Sequence, residues 1–366
     1  MIGRRAFTLG LGSLLLSAPA RAEFKLPPAK KAKKKLLKII PETPLEQIPN
    51  HRQYMRDIVI ELSVYAKKRN PKFVVLARNA PELLIKEHRE EQWEIARDPD
   101  GADSGKFTPL GSVNRPYFKA LDGMLLDGAF CGHDAYDKPT DDDVTLALTQ
   151  AAAALAKEGR RILAIDYCRD PKQLAAVAKK TAALKALSYV DQDGDKRLGR
   201  IPKGHPAGEN ADHITNLTAA KTLLPMLRAD SHGSRDDWVR ALLATNYDVM
   251  LLDGFWRGSE SLTFDDLKAL KFKAVGSQRL VLANLQIGRA VDTRYYWKRD
   301  WQVGAPSWLF AHDPDDDARM VVEYWNPEWK EIIGAYLKGI IDLGYDGVAL
   351  DGLDAYLPFE DMMPID

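Results

Sequence analysis

The chain has 366 residues, 45% of them hydrophobic and 28% charged, which is enough apolar material for one large core or two ordinary ones. Its 52 basic and 52 acidic side chains cancel, so no global field draws it to nucleic acid or to an anionic membrane, and stable membrane insertion is not expected. The partner implied is small or neutral.

Residues 1–22 read as an export signal: paired Arg4 and Arg5, an apolar run through Leu16, and Ala20-Arg21-Ala22 before Glu23. Arg4-Arg5 followed by Ala6-Phe7 resembles a twin-arginine signal. It implies the twin-arginine export machinery as a transient partner and a periplasmic or secreted location; a general secretory signal or an uncleaved anchor is the alternative. Residues 23–49 are rich in Lys and Pro and read as a linker or a loosely docked arm. Cys131 and Cys168 are the two cysteines. Each follows the end of an expected strand, so a bridge can form if those strands are neighbours, and two half-buried thiols are the alternative.

From residue 50 onward helix and strand alternate. Tyr54, Ile58, Leu62 and Tyr65 recur at helical spacing, Asn70-Pro71 stops that helix, and "KFVVLAR" follows as a β-branched run. Further strands are expected at 122–130, 161–167 and 186–192, with helices near 143–158 and 171–185 between them. A polar connection covers 204–212. Strands resume at 222–227, 247–253, 279–287, more weakly at 321–325, and at 346–351. Before the last lies a well-signed helix, with Asn326 as N-cap, Pro327 at its first position and Gly344 as its stop. Strands buried on both faces and separated by helices imply a parallel sheet. Nine candidates, one weak, fit a single α/β domain, a (β/α)8 TIM-like barrel, over residues 50–366.

Several strands end in a carboxylate: Glu82 after "FVVLARNAP", Asp127, Asp166, Asp253 and Asp351. In a barrel these ends open on one face, where sites are built. One such Asp is ordinarily a helix cap, but five together exceed that explanation. Aromatic residues share the same loops, among them Tyr296, Trp297, Tyr324, Trp325 and Tyr356. Carboxylates that hydrogen-bond hydroxyl groups and aromatic faces that lie under pyranose rings suit a sugar site, and two carboxyl groups suffice to hydrolyse a glycosidic bond. No cofactor or metal is expected. "DQDGDKRL" (191–198) opens like a calcium loop but lacks its glycine and its closing Glu, so it reads as a solvated acidic turn.

"TNYDVMLLDGF", "RLVLANLQIGRAVDTRYYW", "PSWLFA" and "VVEYWNPEWKEIIGAYLKGIIDLGYDGVALDGLDAY" resemble consecutive motifs of the endo-alpha-1,4-polygalactosaminidase family of glycoside hydrolases, a TIM-barrel family. That family's remaining motifs resemble "RNPKFVVLARNAPELL", "LDGMLLDGAF" and "GRRILAIDYC", which here come first. The resemblance therefore implies a circularly permuted strand order, with 50–203 holding the family's C-terminal strands and 213–366 its N-terminal ones. Two homologous half-domains would instead produce internal repeats.

Carried over by position, the resemblance makes Asp351 the catalytic Asp, with Asp346 a weaker candidate, and Glu82 the general acid and base. Asp351 would be the nucleophile or its electrostatic counterpart. Asn79, Asp127, Asp166, Tyr167, Asp253, Arg294, Tyr296, Trp297, Tyr324, Trp325, Asp354 and Tyr356 would bind substrate. A carboxyl separation of about 5 Å would imply retention, and one of about 6.5–9.5 Å inversion. Departures occur at "IGRAV", where Arg289 and Val291 replace two glutamates, and at Arg78 and Ala80, which replace Gln and Gly. A cation beside the cleft would favour an acidic or neutral glycan over an amino sugar. The function expected is cleavage of an amino-sugar-containing or acidic polysaccharide, and the alternative is a non-catalytic glycan-binding barrel.

Overall fold

The structure, a computed structural model, describes residues 43–365 apart from Ser104, Asp230 and Asp315. Eight parallel strands share one sheet: β1 (Val74–Arg78), β2 (Gly123–Asp127), β3 (Arg161–Tyr167), β4 (Leu187–Asp191), β5 (Leu223–Met226), β6 (Val249–Asp253), β7 (Leu280–Gln286) and β8 (Gly347–Asp351). The first and last strands pair with each other, from Val74 opposite Gly347 to Ala77 opposite Leu350. β4 and β5 come close without pairing. The result is an α/β protein with a nearly closed parallel barrel sheet. Leu76, Leu125, Leu163, Leu251 and Leu350 are fully buried in it, as the continuous apolar strands required.

The weak ninth strand is not part of the barrel. Arg319–Val322 pairs antiparallel with both Arg289–Val291 and Leu309–His312, forming a small sheet between β7 and the helix Pro327–Leu343. Its apolar residues, Val321 and Val322, are buried within that insertion. Periodicity reported a strand correctly but could not say which sheet it joins.

Three barrel strands are preceded by an aspartate with a shared structural task. Asp122, before β2, accepts from the Val75 N–H of β1 at 2.9 Å. Asp346, before β8, accepts from Val281 of β7 at 2.9 Å and takes Lys271 at 2.8 Å. Asp248, before β6, accepts from Lys221 and Thr222 at 2.7 and 3.2 Å. Each carboxylate satisfies a backbone donor at the start of the adjacent strand, a group that would otherwise be left unpaired as the chain enters the sheet. The glycine after Asp122 and Asp346 has its own reason. A Cβ on Gly123 would lie 2.1 Å from the Arg161 carbonyl, and one on Gly347 2.4 Å from that of Val74, so neither strand could close on its neighbour.

The helix His51–Arg69 buries Met55, Ile58, Val59, Leu62 and Ala66. Tyr54 and Tyr65, expected on that face, are 38% and 37% exposed; the apolar stripe lies about one position round from the one their spacing suggested. The helix Pro327–Leu343 has the expected cap, Asn326 accepting from Glu328 N–H at 3.0 Å, and Gly344 ends it at φ 96°, contributing roughly 1 kcal/mol at the N-cap alone. Between β4 and β5, residues 192–222 contain no α-helix, only the short turn Leu217–Ala219. That connection is anchored by a buried Lys273–Asp248 ion pair at 2.6 Å, around which Asn210 gathers from the loop.

Residues 1–22 and most of the linker lie outside the described residues. Its end, residues 43–49, is docked: Ile48 is buried and its carbonyl accepts from Trp93 Nε1 at 2.7 Å and Arg97 Nη2 at 2.5 Å. Among the described residues no helix is long and apolar enough to cross a membrane.

Candidate active site

β1 ends at Arg78, and the chain then turns through two consecutive left-handed residues, Asn79 and Ala80, each at φ 54°. This turn sets up the short helical turn Pro81–Leu83, which carries Glu82. Glu82 Oε2 accepts from Tyr356 Oη at 2.9 Å. On the neighbouring strand β8 ends at Asp351, whose Oδ2 accepts from Arg78 Nη1 at 2.7 Å and Asn284 Nδ2 at 3.2 Å, and whose Oδ1 accepts from Gly352 N–H at 2.8 Å. Gly352 has φ 72°, and a Cβ there would lie 1.7 Å from Gln286 Oε1, so the turn that presents Asp351 requires glycine.

Arg78 extends the cluster to β2, where Nη2 and Nε reach Asp127 Oδ2 at 2.5 and 3.2 Å. Tyr167 Oη donates to Asp127 Oδ1 at 2.6 Å. Asn79 locks the same turn reciprocally, accepting from Asp127 N–H at 2.8 Å and donating to its carbonyl at 3.1 Å. At β6, Arg294 grips Asp253 with both terminal nitrogens at 2.7 and 2.9 Å, a fork geometry that fixes orientation as well as charge.

Burial works against the charge of Asp351, but Arg78, with the Asn284 and Gly352 donors, outweighs it and holds the carboxyl below its ordinary range. The carboxylate therefore stays ionised at neutral pH. Asp166 behaves in the opposite way. Burial pushes it up to about 6, with Oδ1 tied to the Phe130 and Cys131 N–H groups at 2.8 and 2.9 Å.

Several of the residues expected to bind substrate have partners within the protein. Asp166 is fully buried and pins the β2–helix turn. Tyr324 is fully buried and donates to the His51 carbonyl at 2.8 Å. Tyr356 is fully buried and spends its hydroxyl on Glu82, and Tyr167 is buried against Asp127. Trp325 packs among His51, Tyr54, Tyr324 and Phe359. Tyr296 accepts from Val291 N–H and meets Trp329 edge-on, and Trp297 is half-buried beside Trp301. Asp354 is exposed, with Arg289 at 4.0 Å. Asp346 is occupied at the opposite end of its strand by Lys271 and Val281. Packing the inserted sheet makes the same demand for aromatic residues as stacking a sugar.

The cation expected at the cleft, Arg289, is neutralised. Arg289 is buried against Asp313 at 3.1 Å, and Arg78 is shared between two aspartates. Lys196, whose Nζ lies 5.2 Å from the centre of the Tyr167 ring, joins Arg78 and Arg294 beside Glu82, Asp127, Asp253 and Asp351, so the face carries both signs of charge.

Asn284 was not singled out by sequence reasoning. Its signal was present: Asn284 and Gln286 alternate in the otherwise apolar "LVLANLQI", which puts both on one side of β7 near its C-terminal end. Arg52, Glu87 and Glu360 were also missed, because they converge from separate helices. Cys131 and Cys168 are both fully buried free thiols near the ends of paired strands, and burial pushes Cys168 up to about 12. In the acidic turn Asp191 accepts from Asp193 N–H at 3.3 Å and Asp195 from Arg197 N–H at 2.9 Å. Among the described residues no three His, Cys, Asp or Glu side chains converge to hold a metal ion.

No family model matches the chain. It is 32% identical over 147 residues to an uncharacterised protein of Methanocaldococcus jannaschii, covering 40% of this chain and 41% of that one. It is 34% identical over 115 residues to one from Thermotoga maritima, covering 31% and 34% of the two chains. It is 42% identical over 88 residues to one from Deinococcus radiodurans, covering 24% and 29%. The chain thus matches about two-fifths or less of the length of these relatives.

Proposed function

We propose that the C-terminal face of this barrel hydrolyses a glycosidic bond, with Glu82 as general acid and base and Asp351 as nucleophile or charge stabiliser. The observation that carries this reading is the pairing of β1 with β8, which brings the turns bearing these two residues to adjacent places on one face. Asp351 is kept ionised by Arg78 and Asn284, while Glu82 is held by a neutral phenol. Two carboxyl groups in unlike surroundings are what the division between acid and nucleophile requires.

The resemblance to the polygalactosaminidase family favours a polymer containing amino sugars over a uronate polymer, and Arg289, paired with Asp313, is not a free cation that would count against it. On the same reading the strand order is a circular permutation. The helix-free connection 192–222 would join the old ends, and the β1–β8 seam would be interior in the family. The protein would act in the periplasm or outside the cell after export by the twin-arginine route.

One observation favours the rival reading of a glycan-binding barrel. Arg78 occupies Asp351 and Asp127 at once, and a nucleophile so engaged must be released for attack. The test is release of reducing ends from de-N-acetylated amino-sugar polymers and from uronate polymers by the exported form. Turnover of the former is expected. Binding without turnover on every polymer would favour the rival.

A further inference from the structure

Behind Glu82 lies a buried set of charges that bond cleavage itself does not require. Glu87, just before the helix His88–Arg97, accepts from Arg52 Nη1 at 2.7 Å. The same guanidinium takes both oxygens of Glu360, at 3.0 and 3.1 Å, and lies 5.3 Å from the centre of the Tyr356 ring, whose hydroxyl is on Glu82. Arg89 Nε is 3.3 Å from Glu360. Side chains of Arg52 and Glu360 are only 7% and 9% exposed, so solvent screens this set weakly.

The charges do not balance. Glu82, Glu87 and Glu360 face Arg52 and Arg89, and the charge of Asp361 also acts on Arg89, so carboxylates outnumber guanidinium groups. Arg56, from the same helix as Arg52, is committed to Glu90 and to the Glu82 carbonyl at 3.0 Å. Tyr117, buried near Glu82, is a neutral phenol. Glu360 has three guanidinium nitrogens around it, Glu87 has one and Glu82 has the Tyr356 phenol, so the unmatched charge falls on Glu82 and Glu87. Burial first, and then the charge of Glu82, pushes the Glu87 carboxyl up to about 7.

We propose that Glu87 is a positioning residue for Glu82: the two carboxyl groups are coupled by their charges across Arg52 and Tyr356, so that negative charge on Glu87 favours the acid form of Glu82. The inference rests on Glu82 being the acid of the proposed hydrolysis, but its geometry does not depend on the substrate. Such coupled groups titrate as a pair, in two steps that neither owns alone.

The test is carbon NMR of the exported form labelled at its glutamate side-chain carboxyls, with the Glu82 resonance assigned by its loss in Glu82→Gln. In the wild type that resonance is expected to move in two steps with pH. In Glu87→Gln the second step is expected to vanish, while Glu87→Asp, which keeps the charge on a shorter arm, retains it. On a cleaved polymer, Glu87→Gln is expected to move the alkaline limb of kcat to lower pH with KM unchanged. A single, identical step in the wild type and Glu87→Gln overturns the proposal even if Glu82→Gln is inactive. Two steps coupled through Glu87, with full activity in Glu82→Gln, would instead leave the coupling standing and remove the hydrolytic role of Glu82.

Discussion

Tyr356 gives its hydroxyl to Glu82 across 274 positions of sequence, joining the two ends of the chain at the carboxylate proposed to handle the proton. The phenol is fully buried, and burial with the adjacent Glu82 charge drives it well above its ordinary range, so it remains a donor at every working pH. Tyr356→Phe removes this donor and keeps the ring under Arg52. A loss of roughly tenfold to a hundredfold in kcat/KM is expected, the scale of a hydrogen bond to a charged group, with the unfolding midpoint changed little. Steady-state kinetics beside thermal unfolding checks it.

Arg78 bridges two carboxylates of the cleft. Arg78→Gln frees Asp351 and Asp127 from their common partner, and removing one member of a half-buried pair is expected to destabilise the fold by roughly 2 kcal/mol. The sign of the pH effect follows from Asp351. Its carboxyl is depressed in the folded state, so its stabilising contribution is present above the ordinary carboxylate range and is lost as pH falls through the depressed value. In Arg78→Gln that loss is expected to begin at higher pH. Denaturant unfolding from pH 3 to 7 would show it; superimposable curves would mean Arg78 does not hold Asp351.

Asp166 should show the opposite linkage. Raised to about 6 by burial, it stabilises most fully below its unfolded value near 3.8, and that contribution disappears as pH rises through about 6. Asp166→Asn keeps an oxygen for the Phe130 and Cys131 N–H groups and cannot ionise. Relative to wild type it is expected to gain roughly 2–3 kcal/mol between pH 4 and 8, since each tenfold difference in proton affinity between the folded and unfolded states is worth about 1.4 kcal/mol. Parallel stability profiles for the two proteins would contradict the assigned cause.

Ala80 sits in the left-handed region at φ 54°, where a Cβ costs roughly 1–2 kcal/mol. Glycine accepts that conformation but loses more entropy on folding. Ala80→Gly is therefore expected to be neutral or to stabilise by up to about 1 kcal/mol, with Glu82 still in place, whereas Ala80→Val should destabilise. Comparing the two midpoints of unfolding separates backbone strain from packing.

Much of the barrel was legible because its strands are written as apolar runs closed by a carboxylate. "DGMLLD", "DVMLLD" and "DGVALD" each carry an aspartate at both ends, however, and nothing local distinguishes Asp122, Asp248 and Asp346, which cap neighbouring strands, from Asp127, Asp253 and Asp351, which face the cleft. Strand direction supplies the difference: the C-terminal ends of a parallel barrel share a face. Burial was less legible. Tyr324, Tyr356 and Asp166 read alike by position, yet Tyr324 and Asp166 bond to backbone groups while Tyr356 bonds to Glu82. The Arg52–Glu87–Glu360 set left no trace in sequence, since its members pair across separate helices and match no spacing rule.

The measurement that tests most directly whether Glu82 and Asp351 form one site is reducing-end release from a cleaved amino-sugar polymer by Glu82→Gln, Asp351→Asn and the double variant, all checked for native unfolding midpoints. Groups that act as a unit are strongly non-additive. Each single substitution is expected to lower kcat by roughly a thousandfold or more, and the double to be little worse than either. Wild-type turnover by either folded single variant, or losses that simply multiply, would contradict a shared catalytic role.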